Sequence, residues 1–184
     1  DKSLSLEARF SGTAVRPLRT FAEPGLTPRF GPDRGFELEH VDLELALDLE
    51  EGSIVGAADL HIRPLPTGLG EVILDLGEVE LLDLKHAEGH ELTWRRKDRK
   101  LHLSGVPAHG GVLQFRYQGT PARGIYFTGP TPAFPSRQRM AWSQCQDEDG
   151  HFFFPCVDHP SVKQSMDITL WASAPTRTPC PMCR

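Results

Sequence analysis

Strict alternation of apolar and polar residues is the feature that most constrains the fold. From Val41 to Leu49 the odd positions are Val or Leu, and the even positions are Asp, Glu or Ala. Successive side chains of a β-strand point to opposite faces, so this pattern predicts a strand with one buried face. A turn signal, Glu51-Gly52-Ser53, precedes a second alternating run that places Ala58, Leu60 and Ile62 on one face. The two runs predict an antiparallel hairpin.

Further strand-like segments follow, separated by glycine-containing or charged turns about ten residues apart, as in sandwiches and barrels. Sixteen prolines along the chain disfavour long helices. The sequence therefore predicts an all-β fold, either an antiparallel two-sheet sandwich or one saddle-like curved sheet. The additional predicted strands are Val72–Leu76, Val79–His86, Glu91–Arg95, Leu101–Leu103, Val112–Tyr117, Gly124–Phe127 and Ser165–Trp171, the last with Met166, Ile168 and Leu170 on one face.

The chain divides into three segments by composition. Residues 1–35 are rich in Arg, Pro and Gly and are predicted to form an irregular arm. Residues 36–172 carry the strand patterns and form the β-rich domain, and residues 173–184 form an irregular C-terminal tail. A length of 184 residues suits one ordinary domain.

Composition excludes several classes of partner. A net charge of −5 gives no basic footprint for nucleic acid, and the one basic cluster, residues 95–100, is predicted to be a solvated hairpin turn. No apolar run approaches the roughly 20 residues that a membrane-spanning helix needs. Four cysteines do not make a disulfide scaffold and fit a cytoplasmic protein, although a signal sequence removed before Asp1 would leave export open.

Two motifs near the C-terminal end are the most specific in the chain. They read Ser-Gln-Cys-Gln over residues 143–146 and Phe-Pro-Cys-Val-Asp-His-Pro-Ser-Val-Lys over residues 154–163. Together they resemble the substrate-amine-binding segment of the zinc aminopeptidase family, which includes aminopeptidase N, aminopeptidase B and leukotriene A-4 hydrolase. The likeness extends at fold level from about Phe36 to Trp171 and implies a β-domain of the aminopeptidase N-terminal type.

The resemblance implies that Gln144 and Gln146 bind the free α-ammonium of a peptide substrate. Most of the family has Gln-x-Glu, and Gln146 stands at the Glu position, so it offers one acceptor oxygen and no charge. The branch with aminopeptidase B and leukotriene A-4 hydrolase also carries Gln-x-Gln. The alternative is a pair of loop amides that satisfy backbone groups.

Neighbouring residues receive structural interpretations. Residues 147–149, all acidic, are predicted to form a solvated loop before a turn at Gly150. Phe152–Phe154 are predicted to cover an interface with a neighbouring domain, since three adjacent phenylalanines should not all face one core. Asp158 is predicted to cap a single helical turn that runs to Lys163.

The sequence predicts neither a catalytic residue nor a metal ligand in this chain. Cys180 and Cys183 form one C-x-x-C pair, too few ligands for structural zinc, and H-E-x-x-H and G-x-S-x-G are absent. His86 and His90 are interpreted as side chains on a strand and turn that have no functional role. The resemblance implies that Cys145 and Cys156 are ordinary small buried residues, that no cofactor binds here, and that zinc belongs to an absent catalytic domain.

We therefore expect the N-terminal, amine-recognising and structural domain of a zinc metallo-aminopeptidase, inactive alone. Its partners would be a peptide N-terminus and the missing catalytic domain. After Pro175 the sequence resembles nothing in the family, which suggests an interrupted reading frame. The alternative is a free-standing β-sandwich binding module, and an apolar patch around Phe152–Phe154 would distinguish the first hypothesis from the second.

Overall fold

The computed structural model describes residues 34–172; the predicted arm up to residue 33 and the tail from residue 173 lie outside them. The all-β prediction is confirmed, with ten strands and one short 3₁₀ helix, Gly150–Phe152, among the described residues. Within that range no helix has the length and apolar character needed to cross a membrane. The strands are β1 (Phe36–Asp48), β2 (Ser53–Pro64), β3 (Val72–Asp75), β4 (Glu80–His86), β5 (Thr93–Lys97), β6 (Lys100–Ser104), β7 (Gly111–Gly119), β8 (Gly124–Thr128), β9 (Met140–Gln144) and β10 (Ser165–Ala172).

The largest sheet has five strands in the order β10-β1-β2-β7-β4. The predicted β1–β2 hairpin is present and antiparallel, and it buries Ala58, Leu60 and Ile62 as expected. Strand β10 instead runs parallel to β1, from the pair His40–Ser165 to the pair Leu47–Ala172. A parallel neighbour requires a long connection, and here the chain passes through eight other strands before it returns.

A β-bulge near the start of β1 sets which residues face the core. The register of β1 against β2 shifts between Leu38 and His40, with Glu39 as the extra residue. Leu38 is buried at an even position, whereas the buried residues after the bulge, beginning with Val41, are at odd positions. The bulge therefore turns His40 and Asp42 to the outer face of the sheet.

The second sheet has three strands in the order β3-β6-β5. Val72 and Leu74 of β3 and Leu101 and Leu103 of β6 are fully buried. They belong to one hydrophobic cluster with the inner face of the five-stranded sheet. The core thus fills the space between the two sheets, as in the predicted sandwich.

The predicted basic hairpin is the β5–β6 hairpin, and its cations have local partners. Arg96 donates to the carbonyl oxygens of Leu76 and Val79 at 2.9 and 2.8 Å. Lys100 forms an ion pair with Asp75. These contacts give the cluster a structural role.

The three consecutive phenylalanines are buried, so the prediction that they cover an interface is wrong. Phe152, Phe153 and Phe154 are only 1%, 6% and 6% exposed. The 3₁₀ helix turns the backbone between them and sends successive rings in different directions. Phe153 and Phe154 enter the core cluster, whereas the guanidinium groups of Arg99 and Arg123 lie 4.8 and 5.3 Å from the centroid of Phe152.

The predicted helical turn at Asp158 is also wrong. Residues 158–163 form a non-helical turn, closed by a 2.9 Å hydrogen bond from the amide of Val162 to the carbonyl of His159. The carboxylate of Asp158 accepts instead from the amide and the Nδ1 of His151, at 2.9 and 2.7 Å. It is therefore committed to the preceding 3₁₀ helix and does not cap the chain that follows it.

We predict that Tyr117→Phe stabilises the protein. The hydroxyl of Tyr117 is buried and has no hydrogen-bond partner among residues 34–172, and burial raises its pKa. Removing a buried, unsatisfied hydroxyl should increase the free energy of unfolding by about 1 kcal/mol. Urea unfolding measures this change. Tyr126→Phe, at a half-buried position, is the control with no expected change, and a loss of stability in Tyr117→Phe would contradict the prediction.

Candidate functional site

An open groove of about 690 Å³ lies between the five-stranded sheet and the β8–β9 hairpin. Its floor is the inner face of β1 and β10, and one wall is formed by β8, β9 and the loop that follows β9. The other wall belongs to the segment that carries the second motif. The apolar lining residues are Leu43, Leu45, Leu47, Ile125, Trp142, Phe153, Phe154, Val157, Val162, Met166, Ile168 and Leu170.

The floor of the groove exposes apolar side chains that a folded domain normally covers. Met166, Ile168 and Leu170 share one face of β10, as predicted, and pair with Val41, Leu43 and Leu45 of β1. Ile168 and Leu170 are nevertheless 56% and 59% exposed. The uncovered apolar surface of the described residues therefore includes β10.

Strand β9, which sequence analysis did not predict, presents the first motif. It pairs with β8 from Met140 to Gln144, and the rings of Tyr126 and Trp142 stack across the pair at a centroid distance of 5.6 Å. Gln144 is the last residue of the strand and lies opposite Gly124. The chain then turns, with a 3.1 Å hydrogen bond from the amide of Asp149 to the carbonyl of Cys145.

The two predicted site residues lie close in sequence but differ in position. Gln146 lines the groove beside Ser143 and Asp147, whereas Gln144 is exposed at the end of β9 and is not part of the lining. Neither amide side chain forms a hydrogen bond within residues 34–172. Both amides are available to a ligand, and their predicted role in binding one stays a prediction.

A network of carboxylates, which sequence analysis did not anticipate, anchors the second motif. The amide of Asp158 donates to the carboxylate of Asp75 at 3.1 Å, and Asp75 also pairs with Lys100. Asp158 in turn holds His151 through two hydrogen bonds. The side chains of Asp75 and Asp158 are each 15% exposed, so the network is largely shielded from water. Asp158 lines the groove. Its position in the second motif was the sequence feature that could have indicated its role.

Comparison with known proteins identifies the family of this fold. The family described as "Peptidase M1 N-terminal domain" matches residues 37–178. The chain belongs to this family. No curated protein sequence matches it.

Solved structures of M1 peptidases share the architecture of this M1 N-terminal domain. An M1 zinc metallopeptidase from Deinococcus radiodurans aligns over 76% of this chain and 33% of its own, with 23% identity and a TM-score of 0.59. Leukotriene A4 hydrolase from Saccharomyces cerevisiae aligns over 83% of this chain and 27% of its own, with 18% identity and a TM-score of 0.65. At these identities the likeness establishes the fold. The chain spans about a third of the bacterial protein's length.

The two described cysteines of this M1 N-terminal domain are not nucleophiles. Cys156 is buried and Cys145 is half-buried. Burial is the main cause that raises the pKa of both thiols, and for Cys145 the carboxylates of Asp158 and Asp149 add to it. Both are therefore protonated at neutral pH, in keeping with the packing role that the resemblance implies.

The candidate metal-ligand groups described in this M1 N-terminal domain lie away from the groove. The sequence has no H-E-x-x-H motif. Within residues 34–172, the groups of His and carboxylate side chains spaced closely enough to hold a metal lie outside the groove lining. The residues that line the groove offer amide, carboxylate, imidazole and thiol groups together with apolar surface. The candidate metal-ligand groups are His86–Glu88–His90 and His40–Asp42–Asp167.

We predict that Gly124→Ala is strongly destabilising because the loop after β9 closes directly on this glycine. Gly124 has a φ of +78°, and a Cβ there would lie 2.2 Å from the carbonyl oxygen of Asp149 and 2.9 Å from Phe153. Gly89 is the matched control, since its φ is +80° but nothing lies within 4 Å. Gly89→Ala should cost about 1–2 kcal/mol in backbone strain.

Gly124→Ala should exceed that cost by about 1–3 kcal/mol because overpacking is added to the same strain. Urea unfolding of both variants measures the difference. Equal losses in the two variants would show that the loop does not pack on Gly124 as described.

Proposed function

We propose that this chain is the substrate-amine-recognising and structural domain of a zinc metallo-aminopeptidase that removes N-terminal residues from peptides. The observation that carries the proposal is the position of Gln146. Its unpaired amide lines an open groove next to the carboxylates of Asp147 and Asp158. Membership of the M1 N-terminal domain family supports the same assignment.

The groove suits a peptide amine on chemical grounds. An ammonium group that leaves water needs hydrogen-bond acceptors, and charged acceptors stabilise it most. Gln146 provides one neutral acceptor oxygen, and Asp147 provides negative charge beside it. Gln144, exposed at the end of β9, would provide a second acceptor at the mouth of the groove. The apolar floor would receive the first side chain of the peptide.

Catalysis is proposed to reside in a separate zinc-binding domain. The bacterial and yeast structures are about three to four times as long as the region that aligns with this chain. One of the Deinococcus radiodurans structures is a mutant bound to a Tyr-Ser-Ala substrate, which supports a peptide as the substrate class here. The zinc of that second domain would supply Lewis-acid chemistry, and this chain would orient the peptide N-terminus.

The exposed side chains of β10 favour a domain with a covalent or docked neighbour over a free-standing β-sandwich module. Ile168 and Leu170, on the face that forms the groove floor, are 56% and 59% exposed. A stable monomer rarely leaves adjacent large apolar side chains so open. The missing catalytic domain is the neighbour that we propose, and the free-standing module is the alternative outcome of the tests below.

We predict that the isolated chain binds Tyr-Ser-Ala weakly through its free amine and does not hydrolyse it, even with zinc added. Nuclear magnetic resonance of the Gln side-chain amides measures binding, and chromatography of the peptide measures hydrolysis. Acetyl-Tyr-Ser-Ala, which has no ammonium, should leave the amide of Gln146 unshifted. Hydrolysis by the isolated chain, or equal shifts with the acetylated peptide, would refute the proposal.

A hybrid enzyme tests the same residues in catalysis. The chain would replace the first domain of the Deinococcus radiodurans enzyme. Gln146→Ala should then lower kcat/KM roughly 10- to 100-fold, because a hydrogen bond to a charged group contributes about 1.5–3 kcal/mol. Gln118→Ala is the matched control, since Gln118 is an exposed glutamine on the outer face whose amide donates to Glu80. If the two variants had equal kcat/KM, Gln146 would not be a substrate ligand and the free-standing module would gain support.

A further inference from the structure

Side chains from three strands meet on the outer face of the five-stranded sheet, opposite the groove. His40 and Asp42 come from β1, His61 from β2 and Asp167 from β10. The strand register brings them together, because His40 lies opposite both His61 and Ser165, and Asp42 lies opposite Asp167. This cluster is separate from the proposed amine site, and its function does not depend on that proposal.

Three ligand atoms in the cluster lie within 4.8 Å of one another, and two of their separations are close to the edges of a metal coordination tetrahedron. The Nε2 of His40 lies 3.2 Å from an oxygen of Asp42 and 3.7 Å from an oxygen of Asp167. Metal–ligand bonds of about 2.0–2.2 Å at tetrahedral angles separate neighbouring ligand atoms by roughly 3.3–3.6 Å. An ion of that size fits among the three atoms with little movement of the side chains.

The tautomer of His40 is fixed by a chain of hydrogen bonds at the bulge. The hydroxyl of Ser165 lies 3.1 Å from the carbonyl oxygen of Glu39, which can only accept, so the hydroxyl donates to it. The same hydroxyl is 2.7 Å from Nδ1 of His40 and must therefore accept from Nδ1–H. In the neutral ring this leaves a lone pair on Nε2 that faces the carboxylates of Asp42 and Asp167, whereas in the protonated ring Nε2–H donates to Asp42.

When His40 is neutral, its Nε2 and the two carboxylates are three acceptors that face one another, and a metal cation can take the place of the proton that otherwise joins them. Metal-bound histidines characteristically donate their other ring N–H to a fixed acceptor, as His40 does to Ser165. The two carboxylates carry a combined charge that balances a divalent cation. His61 supports the arrangement, since its Nε2 lies 2.9 Å from the second oxygen of Asp42 and orients that carboxylate.

We propose that this cluster binds a divalent cation of the zinc class. The ligands are Nε2 of His40 and one carboxylate oxygen from each of Asp42 and Asp167, and water completes the tetrahedron. His61 and Ser165 are positioning residues. An imidazole ligand and a small coordination number favour zinc over calcium or magnesium, which take oxygen ligands in larger shells. This proposal departs from the sequence-based expectation that the chain holds no metal ligand.

The other cluster of His and carboxylate side chains does not support such a site. The Nε2 of His86 lies 3.1 Å from the carbonyl oxygen of Gly110 and donates to it. Its Nδ1 accepts from the amide of Glu88 at 3.2 Å. Both ring nitrogens of His86 are therefore used by the backbone, and no lone pair remains for a metal. His109, which contacts Glu88 of this cluster, supplies the control variant.

Isothermal titration with zinc chloride tests the proposal on the full chain. Cys180→Ser and Cys183→Ser form the background, so that thiolates of the C-x-x-C pair do not bind the ion. We expect one equivalent of zinc, and a tetrahedral visible spectrum when cobalt replaces it. Asp167→Asn should weaken binding at least 10-fold, and because this side chain is 84% exposed the variant should fold normally.

Two further variants separate ligand from positioning residue. His40→Gln should abolish the cobalt spectrum, and Ser165→Ala should weaken zinc binding about 10- to 100-fold while the spectrum stays tetrahedral. His109→Gln, an exposed histidine next to Glu88, should bind zinc like the background chain. The proposal is overturned if the background chain binds no zinc, if Asp167→Asn binds as tightly as the background, or if His109→Gln is the variant that loses binding.

Discussion

The structure depends on a short backbone pairing between the second motif and the smaller sheet. The amide of Asp75 donates to the carbonyl of Cys156 at 2.7 Å, and the amide of Cys156 donates back at 3.1 Å. This bridge fixes the segment that carries Phe152–Phe154, so their rings close the core. It also fixes Asp158, whose carboxylate holds the 3₁₀ helix. One wall of the groove is therefore attached directly to the core and to the smaller sheet.

Sequence analysis predicted the strands whose own residues alternate between a buried and an exposed face. Strands β1 and β2 have one buried face and therefore show an alternation of period two. Strand β9 was missed because it pairs only with β8 and exposes most of its residues, so no alternation marks it. The parallel pairing of β10 with β1 could not be predicted from the sequence, because His40 and Ser165 are 125 residues apart and no local pattern encodes their register.

The candidate site was likewise predictable from the sequence only in part. A resemblance between motifs located Gln144 and Gln146, but it could not show that only Gln146 lines the groove. The three phenylalanines were misassigned because a 3₁₀ helix separates their directions, and a strand-based argument does not allow for that. The outer-face cluster depends on a bulge at Glu39 and on three strands in register. Its residues are ordinary strand residues when each is considered alone.

Strand β10 contributes to both surfaces of the sheet through alternate residues. Its apolar residues floor the groove, and Asp167 belongs to the cluster on the opposite face. As the edge strand of this sheet, β10 has only β1 to hold its alignment. If the register of β10 against β1 shifted by one residue, the apolar and polar side chains of β10 would change faces, and both surfaces would be lost. In the correct alignment the hydroxyl of Ser165 donates to the carbonyl oxygen of Glu39 at the bulge. The groove floor and the outer-face cluster therefore form together or are lost together.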